Sequence, residues 1–489
     1  MSIPVYKDQY INGEWVPSQN PGKYADVEDP NTGKVVAQVP DGAVADMEAA
    51  VKAAKAAFVP WMNTPLAERK AYLVKVMENW QKKKPKVVEW LKKELGSPNG
   101  LSQLHVYLLD MHLGIALQQV EKIAFETRTP QGALVVKEPV GVVGCITPWN
   151  YPVNQIACKI FPAMLVGCTV VLKPSEVTPI NAYLVAECIH EAGLPKGVFN
   201  MVFGHGQTVG HTLSAHPDVD MISFTGSTRA GKEITRTAAD TLKVVKTELG
   251  GKSAALMLED ADMKKLVPEF MTQLLENSGQ KCNALTRMLV PKSKYEEVCG
   301  IAKAVADGVL VGKADDPKAQ VGPVANRVQY EKIQGLIKKG IEEGARVISG
   351  GLGKPDGLED GFFVKPTVFA DVHNKMTIAQ EEIFGPVLSI IPYETEQEGI
   401  DIANDTIYGL NNAVAAADPE KALAVARQLR SGTVMVNGTF GTGDAPFGGY
   451  KQSGNAREWG LTGIEDFLLV KHMQGQPTQR PPKKPKSKL

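Results

Sequence analysis

From about residue 140 to residue 440, short β-branched runs alternate with helical stretches. That rhythm restricts the fold more than any other feature of the chain. Runs at 142–146 and 169–172 are rich in Val, Thr and Leu. Residues 179–191 read as a helix that opens on Pro179 and stops at Gly193 and Pro195, and 199–202 and 221–224 are further short strands. Strands separated by helices pair in parallel, and the helices cover the faces of the resulting sheet. A second set follows from about 250, with strand-like runs at 254–258, 289–290, 387–391 and 433–436. The chain has 489 residues, too many for one hydrophobic core, so two α/β lobes of similar size are expected.

The first 140 residues obey other patterns. Asn12-Gly13 separates alternating apolar residues from Tyr10 to Val16, which signals a β-hairpin. Residues 44–95 read as two helices, with apolar positions at helical spacing over 49–58 and 73–95. The stretch 127–143 alternates like strands and leads to Pro148.

Composition excludes several classes. Fifty-four basic residues balance 54 acidic ones, so net charge implies no nucleic-acid partner. Residues 480–489 hold five of the bases and no acid, leaving the rest of the chain mildly acidic. No apolar run is long enough to span a bilayer, and the polar N-terminus lacks the apolar stretch of a secretory signal. Six cysteines without a CxxC pair argue against a zinc site or a disulfide framework, and for a reducing compartment.

Four segments carry chemistry. Pro148-Trp149-Asn150-Tyr151-Pro152 follows a strand, where a side-chain amide can direct N–H at a developing negative oxygen. Alone, Asn150 reads as a polar turn residue. Lys173-Pro174-Ser175-Glu176 also follows a strand, at the edge where α/β sheets bind ligands. Phe203–Gly210 is glycine-rich but misses the GxGxxG spacing. Phe224-Thr225-Gly226-Ser227-Thr228 precedes a helix over 230–238, whose N-terminal amides can hold a phosphate. Finally, Glu248 opens Glu-Leu-Gly-Gly-Lys, and Cys282 closes Asn-Ser-Gly-Gln-Lys-Cys. A thiol is a strong nucleophile and a carboxylate accepts protons. The glycines around both predict turns that expose the two side chains.

Together with Glu138–Val143, Glu381–Val387 and Pro446–Gly454, these segments resemble the aldehyde dehydrogenase superfamily of the NAD(P)-dependent, non-acylating type, across nearly the whole length. The resemblance implies an α/β fold with a dinucleotide-binding lobe and a catalytic lobe, each on a parallel sheet, plus a small β oligomerisation element. It places the NAD-binding domain at 1–120 and 140–248 and the catalytic domain at 249–450. Bridging segments fall at 121–139 and 451–475, and a flexible tail at 476–489. It implies oxidation of an aldehyde to the acid. Cys282 attacks the carbonyl carbon, Asn150 and the Cys282 N–H hold the oxygen, and Glu248 activates the water that hydrolyses the thioester. Trp149, Lys173, Ser175, Glu176, Gly226, Ser227, Glu382 and Phe384 become cofactor contacts. The Glu176 carboxylate should repel a 2′-phosphate and favour NAD, while Lys173 keeps NADP open. The assembly implied is a homodimer or homotetramer.

The chain also departs from the pattern. Leu275 and Glu276 stand where many relatives carry aromatics, and Lys281 directly precedes the nucleophile. With Tyr151, Glu276 and Lys281 are expected to border the substrate tunnel and to favour an aldehyde with a polar or charged distal group, unless the charges turn to solvent or to a salt bridge. Ala456 and Leu469 replace residues common in relatives near the subunit contact. The final Ser487-Lys488-Leu489 matches a receptor-read peroxisomal address, with cytoplasm as the alternative destination. Three competing readings are a coenzyme-A-acylating enzyme, a non-catalytic protein on the same fold, and a cofactor-free thiol hydrolase. Glu248 argues against the first, the intact set of three against the second, and the lack of a nearby His in sequence against the third.

Overall fold

The computed structural model describes residues 3–439 and 441–474. The tail with Ser487-Lys488-Leu489 lies outside the described residues. Two seven-stranded sheets carry the chain. In the first, Val244–Glu248, Met221–Thr225, Val142–Ile146, Thr169–Lys173 and Phe199–Met201 run parallel. The hairpin Asp8–Ile11 and Glu14–Pro17 adds an antiparallel edge beside Phe199–Met201. In the second, Thr367–Ala370, Val387–Tyr393, Arg287–Pro291, Ala254–Met257, Asn411–Ala415 and Thr433–Val436 are parallel, and Arg346–Ser349 closes one edge antiparallel. Strands 142–146, 169–173 and 221–225 are buried along their whole length, as β-branched runs covered on both faces must be.

Chain direction creates the site. Strands of the first sheet end at Ile146, Lys173, Thr225 and Glu248, so the segments that follow share its carboxyl edge. The chain leaves that edge at Glu248 and enters the second sheet at Ala254. The segments before Ala254, Arg287 and Val387 therefore lie along the amino edge of the second sheet. These two edges face each other, and every candidate residue of the sequence sits on one of them or on the loops between.

A smaller sheet of Leu468–Met473, Leu134–Pro139 and Glu126–Arg128 stands apart. Leu469, Val470 and Met473 are exposed on its edge strand, the surface to which the expected homo-oligomer points. Among the described residues, no helix is long and apolar enough to cross a membrane and no cluster of His, Cys, Asp or Glu is suited to a metal.

Most sequence boundaries hold to within a few residues. The hairpin turns at Asn12 and Gly13, both left-handed, and the helices near the N-terminus run Val44–Met62 and Leu66–Trp90. One long helix, Asn99–Gln119, was not anticipated. Its buried stripe mixes Val106, Leu109 and Leu113 with His105 and His112, which blurs the hydrophobic period. The expectation of exposure also fails for Glu248. It is the last residue of a strand and 2% exposed, because the glycines that follow turn the chain only after the carboxylate has been placed inside.

Candidate active site

The loop that carries Cys282 is built against its own conformational preference. Helix Met263–Leu275 ends, and Asn277, Ser278 and Gly279 follow with φ of 53°, 57° and 73°. The left-handed region costs an L side chain about 1–2 kcal/mol, so the surroundings must hold it. Asn277 Nδ2 donates to the Asn150 carbonyl (2.8 Å), and Ser278 Oγ donates to the Gly322 carbonyl (2.7 Å). Gln280, fully buried, donates to the Asn277 carbonyl (3.0 Å) and accepts from the Ala325 N–H (2.9 Å). Gly279 is required twice over: its φ is positive, and a Cβ there would lie 2.1 Å from the Gly385 carbonyl oxygen.

Asn150 joins this loop from the other edge. It is buried, and its Nδ2 donates to the Gln280 carbonyl at 3.0 Å, which leaves the second N–H of the amide for another acceptor. The Cys282 N–H makes no backbone hydrogen bond among the described residues. Two free N–H donors thus stand beside one half-buried sulfur. The Glu248 segment docks on the same loop, since a Cβ at Gly251 would lie 2.3 Å from the Cys282 carbonyl oxygen.

Glu248 is buried with neither oxygen hydrogen-bonded. Burial raises its carboxyl well above the ordinary range, and the charge on Glu458 adds to the shift. The Cys282 thiol is likewise pushed up by burial and then by Glu248, Glu382 and Glu458. The resting pair is therefore a thiol beside a protonation-poised carboxyl. Behind Glu248, Lys159 and Glu458 form a buried ion pair that sequence reading missed. The signal was present: Lys159 is the one charged residue in the fully buried helix Pro152–Val166.

A groove runs from the sulfur along the first sheet. Its inner part, about 130 Å³, is lined by Asn150, Cys282, Glu382 and Phe384. Its outer part, about 600 Å³, reaches Lys173, Ser175 and Glu176. Trp149, Thr225, Gly226 and Ser227 line both parts. Phe384 holds a left-handed φ of 61° that sets its ring edge-on to Trp149, 5.5 Å between centroids. Ser227 caps helix Thr228–Ala238 by accepting the Ala230 N–H at 3.2 Å. The Ser175 hydroxyl accepts the Val177 N–H, and Lys173 pairs with Glu176 at 2.7 Å. Glu382 accepts the Gly251 N–H at 2.9 Å, which ties it to the turn after Glu248. Gln329 and Lys332 also line the inner part, contributed by helix Arg327–Glu342, and nothing in their local sequence marks them.

The three suspected tunnel residues converge on one another. Glu276 Oε1 accepts from the Tyr151 hydroxyl (2.7 Å) and from Lys281 Nζ (3.0 Å), and Lys281 also donates to the Gln273 carbonyl (3.3 Å). The two opposite charges near Cys282 are thus a salt bridge and not independent handles. His105 packs under Tyr151, with ring centroids 4.6 Å apart, and burial depresses it to about 3, so it stays neutral.

A half-buried thiol and an amide with a spare N–H on the inner part of one elongated groove, with a buried carboxyl close by, suit covalent capture of a carbonyl compound. The sequence matches the aldehyde dehydrogenase family over residues 15–473. A 3-succinoylsemialdehyde-pyridine dehydrogenase from a Pseudomonas species is 46% identical over 474 residues, covering 96% of this chain and 98% of that protein. Aldehyde dehydrogenase C of Pseudomonas syringae, solved as a cysteine-to-alanine variant with NAD+ and octanal, superposes with a TM-score of 0.94 at 42% identity, over 96% of both chains. An aldehyde dehydrogenase of Mycobacterium tuberculosis solved with NAD+ gives 0.93 at 42% identity, over 96% of this chain and 98% of that one. The chain belongs to the aldehyde dehydrogenase family.

Proposed function

We propose that this chain oxidises an aldehyde to the carboxylic acid, with NAD as hydride acceptor and Cys282 as nucleophile. The observation that carries the reading is that Cys282 and Asn150, whose amide keeps one N–H free, line the inner part of one groove, with the buried Glu248 carboxyl near enough to act on the Cys282 thiol. A dinucleotide fits that groove. The buried Thr225 Oγ1 lines it without a hydrogen-bond partner, and Glu176 and Glu382 offer carboxylates to ribose hydroxyls at its two ends. Solved relatives carry NAD+.

The Cys282 thiol releases its proton to water in the groove as its sulfur adds to the carbonyl carbon. The Asn150 amide and the Cys282 N–H stabilise the oxyanion. Bound NAD supplies the acceptor for the hydride that leaves this adduct. Glu248 then deprotonates a water that attacks the thioester, and Cys282 is released. Trp149, Ser227 and Phe384 line the path between the Glu176 and Glu382 carboxylates and exclude water from the reacting carbon.

The aldehyde is to be identified by a panel of aliphatic, aromatic, amino- and carboxy-terminated substrates, following NADH formation with and without coenzyme A. A rate independent of coenzyme A is expected, and absence of NADH with the entire panel would reject the reading. Lys281→Ala tests the polar border. It leaves Glu276 with Tyr151 alone, so amino-terminated aldehydes should gain on carboxy-terminated ones by about tenfold in kcat/KM. An unchanged rank order removes Lys281 from substrate choice.

A peroxisomal destination rests on Ser487-Lys488-Leu489 alone, and the relatives named above are bacterial. A fluorescent protein carrying residues 476–489 should enter peroxisomes of a eukaryotic cell. Diffuse cytosolic signal would leave the cytoplasm as the destination.

A further inference from the structure

Glu276 is fastened to the chain neighbours of both groups that act on the aldehyde. Its Oε1 accepts from the hydroxyl of Tyr151, the residue after Asn150 (2.7 Å), and from the ammonium of Lys281, the residue before Cys282 (3.0 Å). Its own N–H donates to the Thr272 carbonyl and so closes helix Met263–Leu275. The carboxylate is therefore held at a set place near the nucleophile. Both side-chain bonds fall on one oxygen. Glu276 Oε2 makes no hydrogen bond among the described residues and is not sealed from solvent.

The two charges of the pair are unequally presented. The Glu276 side chain is 31% exposed and that of Lys281 only 10%. Lys281 Nζ is held on two sides, by Glu276 and by the Gln273 carbonyl at 3.3 Å. Burial works against ionisation of Glu276, but the Lys281 charge and the bonds from Tyr151 and Lys281 outweigh it and hold the carboxyl below its ordinary range. Burial raises the Tyr151 hydroxyl, which stays a donor, and His105 beneath it stays neutral. The cluster thus offers a substrate one ionised acceptor oxygen, while its cation is already committed. A carboxy-terminated aldehyde meets like charge there. An ammonium group meets an oxygen that accepts its N–H. A quaternary ammonium gains the attraction without the hydrogen bond.

We propose that Glu276 selects the substrate of this enzyme, and that its free Oε2 takes the primary ammonium of an ω-aminoaldehyde whose carbonyl lies against Cys282. The inference deepens the aldehyde-oxidising reading given above and rests on it. Lys281 and Tyr151 act through Glu276, as positioning residues that fix its carboxylate and leave one oxygen open. One charge-assisted hydrogen bond at a partly exposed site corresponds to about tenfold in affinity.

The test compares kcat/KM for ω-aminoaldehydes of increasing length with that for the unsubstituted, N-trimethylated and ω-carboxy aldehydes of the same lengths, in the intact enzyme and in Glu276→Gln. At the best-fitting length the intact enzyme should prefer the aminoaldehyde to the unsubstituted one by about tenfold. The trimethylated compound should fall between them, and the carboxy compound below both. In Glu276→Gln, Lys281 loses its charged partner, so the amino preference should vanish and the carboxy-terminated aldehyde should overtake it. Each ratio is taken within one protein, so a general loss of activity does not imitate the effect. Calorimetry on the intact enzyme with ω-amino alcohols against plain alkanols gives the same comparison without turnover. If no aldehyde is oxidised, the reaction reading fails and this binding ratio still decides the role of Glu276. A ratio near one at every length in the intact enzyme, or an undiminished amino preference in Glu276→Gln, overturns the inference.

Discussion

Cys282→Ser is expected to lower aldehyde oxidation by on the order of 10⁴-fold or more. The exchange replaces sulfur by oxygen at one half-buried position and leaves the loop intact, because Asn277, Ser278 and Gln280 make its anchoring hydrogen bonds. What changes is chemistry. A serine hydroxyl is a far weaker acid than a thiol, and the site already pushes the Cys282 thiol upward through burial and three surrounding carboxyls. The same environment would keep a serine fully protonated. Binding of NAD, followed by quenching of protein fluorescence, should survive, because the groove contacts lie elsewhere. Turnover within tenfold of the intact enzyme would show that the sulfur is not the nucleophile. Loss of NAD binding alongside turnover would assign the effect to a collapsed loop.

The legible and illegible parts of this molecule divide along a physical line. Strands of the central sheets were readable because burial on both faces favours apolar runs rich in β-branched residues, as at Val142–Ile146 and Thr169–Lys173. Cys282, Glu248 and Asn150 stood out as candidates because each sits in a short motif whose glycines and prolines serve the local geometry. The burial of Glu248 was not, since it depends on the Gly448–Glu458 segment folding back over the strand end. The Leu249 N–H to Ser453 carbonyl bond at 2.9 Å belongs to that crossing. Lys159 and Glu458 are separated by 299 positions, and no window of sequence links them. The Tyr151–Glu276–Lys281 cluster occupies the middle ground. The residue types were visible and so was their place near the nucleophile, but whether two charges face a substrate or each other is decided by rotamers.

Glu248→Gln is expected to separate the two halves of the reaction. The amide keeps the volume of the buried side chain and loses its basicity. Without it, water attack on the thioester should slow by about 10²–10⁴-fold, the usual reach of general base catalysis. Hydride transfer precedes that step, so a burst of NADH approaching one per site should appear, then a slow steady rate. Intact mass measurement should find the acyl group on the protein, and hydroxylamine, a nucleophile that needs no base, should release it. The pH dependence carries a sign. Burial and Glu458 raise the Glu248 carboxyl, so its basic form accumulates only above the ordinary carboxylate range, and steady-state turnover in the intact enzyme should climb with pH across that displaced titration. In Glu248→Gln this limb should vanish. Stability moves the other way. A carboxyl whose folded-state titration is raised supports the fold below its unfolded value and loses that support as pH rises through the folded one. The glutamine has no charge to bury, so the Tm of the variant should hold at alkaline pH where that of the intact enzyme declines. A variant that shows neither burst nor acyl adduct, yet retains the acid limb, would place the catalytic base on another residue.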